Sequence, residues 1–104
     1  MADAERSITH NEAAKRFETT LDGRTAFLEY HRGRDFVTLI HTEVPEELGG
    51  RGIGGKLAQA ALEFARAENL KVVPSCPFVA AYIRRHPEYL DLVMEKYRKS
   101  VTQA

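Results

Sequence analysis

The chain has 104 residues, and its 15 basic and 15 acidic side chains balance to a formal net charge of zero. That length makes one domain able to bury roughly 60–70% of its unfolded surface, while balanced charge leaves no global field to steer it onto nucleic acid or an anionic membrane. One cysteine excludes an internal disulfide and points to a reducing compartment, the cytoplasm, and no run approaches the roughly 20 apolar residues of a membrane span.

The first seven residues are polar, small and charged, lack the apolar core of a secretion signal, and are expected to fray. Ile8 to Asn11 reads as a short extended edge piece. Arg16 to Leu21 alternates, with Phe17, Thr19 and Leu21 on one face. Asp22-Gly23 is a two-residue hairpin turn, and Arg24 to Arg32 continues as the next strand. A turn at Gly33 leads into a strand from Asp35 to Thr42, whose nearly continuous apolar centre predicts a central position covered on both faces.

A glycine cluster follows: Gly49, Gly50, Gly52, Gly54 and Gly55. It abuts a helix expected from Gly52 to Asn69, with Ile53, Leu57, Ala60, Ala61 and Phe64 at the spacing of one buried face. Glycines there let a ligand approach the backbone, and the helix start aims free N–H groups and its positive dipole end at that ligand. Arg51 and Lys56 add positive charge. The physical reading is a pyrophosphate cradle; the bland alternative is a glycine-rich turn. A Walker loop is excluded because Leu57 stands where Ser or Thr would hold Mg²⁺. A dinucleotide fingerprint has the wrong spacing here and needs a second βαβ unit.

Leu70 to Ser75 reads as a strand, with Pro74 confining it to a place where one N–H needs no partner. Cys76-Pro77 starts a second helix, with proline at its first position. Its buried side is expected to be Phe78, Val79, Tyr82 and Ile83, and His86-Pro87 ends it. A last helix from Glu88 to Lys99 is expected to bury Leu90, Val93, Met94 and Tyr97, with Ser100 to Ala104 frayed. The domain therefore spans 8–99. Antiparallel strands, helix, strand, helix, helix: the order gives an α+β sheet with helices packed on it.

Three residues invite chemistry on their own merits. Strict alternation puts His41 and Glu43 on one face with Val37 and Leu39, as a base pair in which Glu43 raises the imidazole's basicity. Their structural alternatives are a histidine bonding a carbonyl and a helix-entry carboxylate. Cys76, at an N-cap, sits beside free N–H groups in the kind of setting that favours thiolate. It stands open as acyl-accepting nucleophile, acid/base group or small buried residue. The four histidines and single cysteine show no metal-ligand spacing, so no metal is expected.

Arg51-Gly52-Ile53-Gly54 resembles the Q/R-x-x-G-x-G/A segment of motif A in the Gcn5-related N-acetyltransferase (GNAT) superfamily. Gly49 stands where that family prefers Gln or Arg. The runs His10-Asn11, Arg16-Phe17-Glu18, Asp22-Gly23, His41-Thr42-Glu43-Val44-Pro45, Val73-Pro74-Ser75-Cys76-Pro77-Phe78 and His86-Pro87-Glu88-Tyr89 are similar to the small YjdJ-type members, over roughly His10 to Val93. The resemblance implies a minimal GNAT fold: a mostly antiparallel twisted sheet whose splayed strands flank a coenzyme A cleft. Acetyl-CoA would be the co-substrate, held by Thr42, Val44, Gly49, Gly50, Arg51, Gly52, Ile53, Gly54, Gly55 and Lys56, with backbone donors at residues 42–44 facing the oxyanion. Tyr82 would be the acid for the departing thiolate, unless it is a core residue. Ordinary members wall the acceptor site with helices between their first two strands, and Asp22-Gly23 leaves no room for them. The implied activity is acetyl transfer to an amine of a peptide or protein, with a homodimer as one way to complete the site. Two alternatives stand beside it: a non-catalytic CoA- or acyl-CoA-binding accessory module, and a peptide-binding scaffold that leaves the glycines unexplained.

Overall fold

The computed structural model describes residues 8–103; the expected fraying of residues 1–7 and of Ala104 lies outside the described residues. Five strands, β1 (Thr9–Asn11), β2 (Arg16–Leu21), β3 (Arg24–Arg32), β4 (Phe36–Glu43) and β5 (Lys71–Pro74), form one sheet in sequence order. The first four are antiparallel, and β5 lies parallel to β4. The β2–β3 turn takes the left-handed conformation at both Asp22 (φ 54°) and Gly23 (φ 75°), the twist that a two-residue hairpin requires. Residues 12–15 turn the chain from β1 to β2, so neither connection carries a helix.

Helix α1 (Ile53–Ala67) lies on the sheet face that carries Phe17, Leu28, Tyr30 and Leu39. Its fully covered stripe is Ile53, Leu57, Ala58, Ala61, Leu62 and Ala65. Ala60 and Phe64 are only partly buried. The opposite face, with Glu18, Phe27, Glu29, Ile40, His41 and Glu43, is not packed by α1. Ile40 is 45% exposed, so β4 is not covered on both faces as its apolar run suggested. One face of this apolar strand meets solvent.

After β5, helix α2 (Pro77–Arg85) runs from the Cys76 N-cap to a His86 C-cap, as its proline start and stop imply. The expected helix from 88 to 99 does not form. Pro87–Leu92 and Glu95–Tyr97 are short 3₁₀ turns, and Val93 between them is extended. Val93 bridges Val72 at the edge of β5, and the Met94 N–H donates to the Val72 carbonyl at 2.9 Å. A β-branched residue with a vacant sheet edge beside it gains more there than in a helix. Nor does the chain leave the core past Lys99: helix α3 (Arg98–Thr102) buries Val101 completely, and Arg84 donates to its carbonyl at 2.7 Å.

Strand β1 is fastened by His10, whose ring stacks on Phe17 (centroids 4.3 Å apart), meets Phe64 edge-on, and holds the Tyr30 hydroxyl at 2.6 Å. Burial lowers the His10 pKa, a shift opposed by Glu12 and Glu68 and reinforced by Arg32. The unfolded chain therefore takes up this proton first on acidification. The associated stability is present in full above the unfolded value of about 6.5 and is lost as pH falls through the lower folded value. Thermal melts from about pH 7 down to about pH 5 should show a falling midpoint, and His10→Gln should flatten that slope. An identical slope in the variant would exclude His10 as its source.

Candidate active site

The chain leaves β4 through a 3₁₀ turn, Glu46–Leu48, and a glycine loop that opens helix α1. Gly52, the N-cap, is left-handed at φ 73° and no side chain caps the helix start. The first intrahelical bond runs from Lys56 N–H to the Gly52 carbonyl at 3.1 Å, so the amides of Ile53, Gly54 and Gly55 have no intrahelical acceptor. They point out of the positive end of the helix dipole. Above them lies a cleft of about 380 Å³ between the loop and α2, lined among others by Val44, Leu48, Gly50, Phe78, Tyr82 and Arg85. A Cβ on Gly54 would stand 2.7 Å from the Phe78 ring, and one on Gly55 would stand 3.4 Å from Tyr82. At Gly54 the bare backbone makes room for the Phe78 ring, and the uncapped amides beside it have the chemistry of an anion site.

Neither of the two cations read as phosphate contacts is among the residues that line this cleft. Arg51 turns to the hairpin tip and pairs with Asp22 at 3.2 Å, beside a second pair, Arg24–Glu47, also at 3.2 Å. Together they strap the β2–β3 turn to the glycine loop. Lys56 lines a separate hollow on the flank of α1 with Ile8, Gln59 and Glu63.

The elements that wall the cleft, the end of β4 and the start of α2, also border the place where β4 and β5 part. Their pairing stops at Leu39 opposite Pro74, where the Leu39 carbonyl accepts the Cys76 N–H at 2.9 Å. A β-bulge intervenes on β4: Leu39 faces Tyr30, but His41 faces Glu29, leaving Ile40 as the extra residue. Tyr30 donates its N–H to Lys15 on its other side, so Tyr30 and Leu39 are a non-bonded pair. Alternation then makes Glu29/His41 bonded and Leu28/Thr42 non-bonded. The Thr42 amide consequently faces the gap, where no strand of the described residues pairs with it. Its side chain follows, with Oγ1 3.4 Å from Cys76 Sγ. Thr42 and Cys76 thus meet across the splay.

The same bulge overturns the expected placement of His41 and Glu43. One extra residue reverses which side chains face the helices, so these two lie on the open face, opposite Val37 and Leu39. They do share that face, with His41 Nε2 3.2 Å from Glu43 Oε1, and their side chains are 52% and 61% exposed. His41 also meets the Phe27 ring edge-on. They flank Thr42 in sequence and stand on the far side of the sheet from α1.

Cys76 is the N-cap of α2 and is almost fully buried, with Thr42 as its polar contact. Tyr82, 8% exposed, lines the cleft. Burial, then Glu88, raises its phenol above the ordinary value, while Lys56 and Arg85 pull it back. The His86 ring stacks on Tyr82 with centroids 4.0 Å apart, and its Nδ1–H donates to the Tyr82 carbonyl at 2.9 Å. One turn further, Tyr89 donates to Glu63 at 2.7 Å and joins α1 to the segment after α2.

Two cleft residues escaped the sequence reading. Phe78, expected in the core, is 38% exposed and lies against Gly54. Arg85 was unassigned, although it lies three residues after Tyr82 on the same helical face. Among the described residues, no group of three or more His, Cys, Asp or Glu could hold a metal ion.

A family model described as GCN5-related N-acetyl-transferase matches residues 16–92. Protein NATD1 of Mus musculus is 36% identical over 89 residues, covering 81% of each chain. Protein NATD1 of Danio rerio is 33% identical over 92 residues, covering 84% of each. The solution structure of a GCN5-like protein from Staphylococcus aureus superposes with a TM-score of 0.69 at 31% identity, over 90% of this chain and 91% of that one.

Proposed function

The chain belongs to the GCN5-related N-acetyltransferase family, and from that premise we propose that it transfers an acetyl group from acetyl-CoA to an amine of a peptide or protein. The observation that carries this reading is the glycine cradle at the start of α1, opening on a cleft walled by Val44, which follows β4, and by Phe78 and Tyr82 of α2, the helix that Cys76 caps. The amides of Ile53, Gly54 and Gly55 would hold the diphosphate. The thioester supplies an acyl carbon activated towards attack. In the transfer, the amine nitrogen bonds to that carbon, the carbon–sulfur bond breaks, one proton leaves the amine and one reaches the departing thiolate. The Thr42 amide faces the gap, which suits a donor for the tetrahedral oxyanion. Tyr82 supplies the proton to the thiolate, and Glu43 with His41 receives the one from the amine, on the open face where an acceptor has access. Cys76 fits a positioning role at the gap better than that of an exposed nucleophile, because it is buried against Thr42.

The acceptor class follows from the open face. With no helix between β1, β2 and β3, no element among the described residues encloses a small amine on that side as deep pockets do. Screening polyamines, amino sugars and peptide amines by CoA release should favour the peptides. A low-micromolar KM for one small amine in a strictly monomeric protein would overturn the acceptor class. CoA retained in a native mass spectrum, without turnover on any amine, would instead identify an accessory CoA-binding module.

A further inference from the structure

Helix α2 presents one continuous line to the cleft. Cys76 caps it at the gap, Phe78 lies against Gly54, Tyr82 lies against Gly55, and Arg85 follows on the next turn. At about 1.5 Å per residue, Arg85 stands about 13 Å along the axis from Cys76. It is therefore at the end of the cleft away from the strand gap, beyond the glycine amides. Among the described residues it is also the one charged side chain that lines this cleft.

Its neighbours show why this matters. Arg51 is committed to Asp22, Arg24 to Glu47, Arg66 to Asp91, and Arg84 to the Val101 carbonyl. Among the described residues no carboxylate pairs with Arg85. A guanidinium that lines an otherwise neutral and largely apolar cleft, beside uncapped helix amides, has the chemistry of a phosphate contact: five donors in a rigid fork and a charge that no pH in the working range removes. Resting on the acetyl-CoA reading above, we propose that Arg85 is the side-chain phosphate ligand of this site, in the place that the glycine-loop cation Arg51 was expected to fill. Two phosphates share that chemistry, the diphosphate over the glycines and the 3′-phosphate beyond it.

Calorimetry with CoA, 3′-dephospho-CoA and pantetheine, on the wild type and on Arg85→Gln, tests the assignment. Arg34→Gln, in the β3–β4 turn, controls for the loss of one positive charge. The expected result is wild-type binding of CoA, a loss of about tenfold or more in Arg85→Gln, and no change in Arg34→Gln. If Arg85 holds the diphosphate, dephospho-CoA loses affinity in the variant as CoA does. If it holds the 3′-phosphate, dephospho-CoA binds wild type and variant alike, and the variant's CoA affinity falls to that level. Wild-type-like CoA binding by Arg85→Gln overturns the assignment and leaves the acetyl-CoA reading standing. Failure of the wild type to bind CoA overturns the reading itself and this assignment with it.

Discussion

A Gly54→Val variant is expected to fold as the wild type does and to bind CoA more weakly by about 2 kcal/mol or more, roughly 30-fold. The position separates binding from folding for a steric reason. A Cβ there meets the Phe78 ring at 2.7 Å, but that ring is the far end of a partly exposed side chain and can swing away. The direction open to it is the cleft, which lies between α2 and the glycine loop. Displaced ring and new methyl groups then cover the amides of residues 53–55. Inside a helix valine is a better residue than glycine by a few tenths of a kcal/mol, so α1 itself should persist. Gly52 is the worse choice for this test. Its φ of 73° makes any β-branched replacement strain the backbone by about 1–2 kcal/mol, mixing folding with binding. Calorimetry with CoA, alongside far-UV circular dichroism, reads the two effects separately. Unchanged affinity in a folded Gly54→Val protein would falsify the cradle.

How much of this site could be read from the chain depends on whether local signals or long-range pairing decided each part. Asp22-Gly23 dictates its own turn, and Pro77 its own helix start, so both elements appear where those residues put them. The glycine loop and the start of α1 are local as well. The bulge at Ile40 is not. It arises from how β4 pairs with β3, and nothing in Leu39-Ile40-His41 distinguishes a bulged run from a regular one. That single residue moved Thr42 into the gap and His41 and Glu43 to the open face. Val93 failed for a related reason. Its helical neighbourhood in sequence gave way to the edge of β5, a partner more than twenty residues back. Arg51 shows the limit of charge counting. A cation beside glycines reads as a phosphate ligand, yet the hairpin tip brings Asp22 to it from far away in sequence. Arg85, which the sequence reading passes over, carries a local signal by contrast: it repeats the Tyr82 face at a spacing of three.

Replacing Tyr82 with phenylalanine should lower kcat by about a hundredfold, at the modest end of general-acid effects, and leave the KM for acetyl-CoA nearly unchanged. The argument begins with packing. The ring, not the hydroxyl, stacks on His86 and lies against Gly55, so the variant keeps the shape of the cleft wall. What it loses is a proton donor. Burial holds the phenol above its ordinary value, so it stays protonated throughout the neutral range, and the nearby Lys56 and Arg85 keep that rise in check. A donor that is always protonated acts only when a thiolate forms beside it, which happens in the transition state and not in the bound substrate. An interaction confined to the transition state appears in kcat and kcat/KM together and is silent in substrate binding. The same substitution should spare acceptors whose transfer is limited by product release, so single-turnover measurement of CoA formation is the decisive readout. A chemical step in Tyr82→Phe within a few-fold of wild type would return this tyrosine to the core and leave the thiolate to take its proton from water.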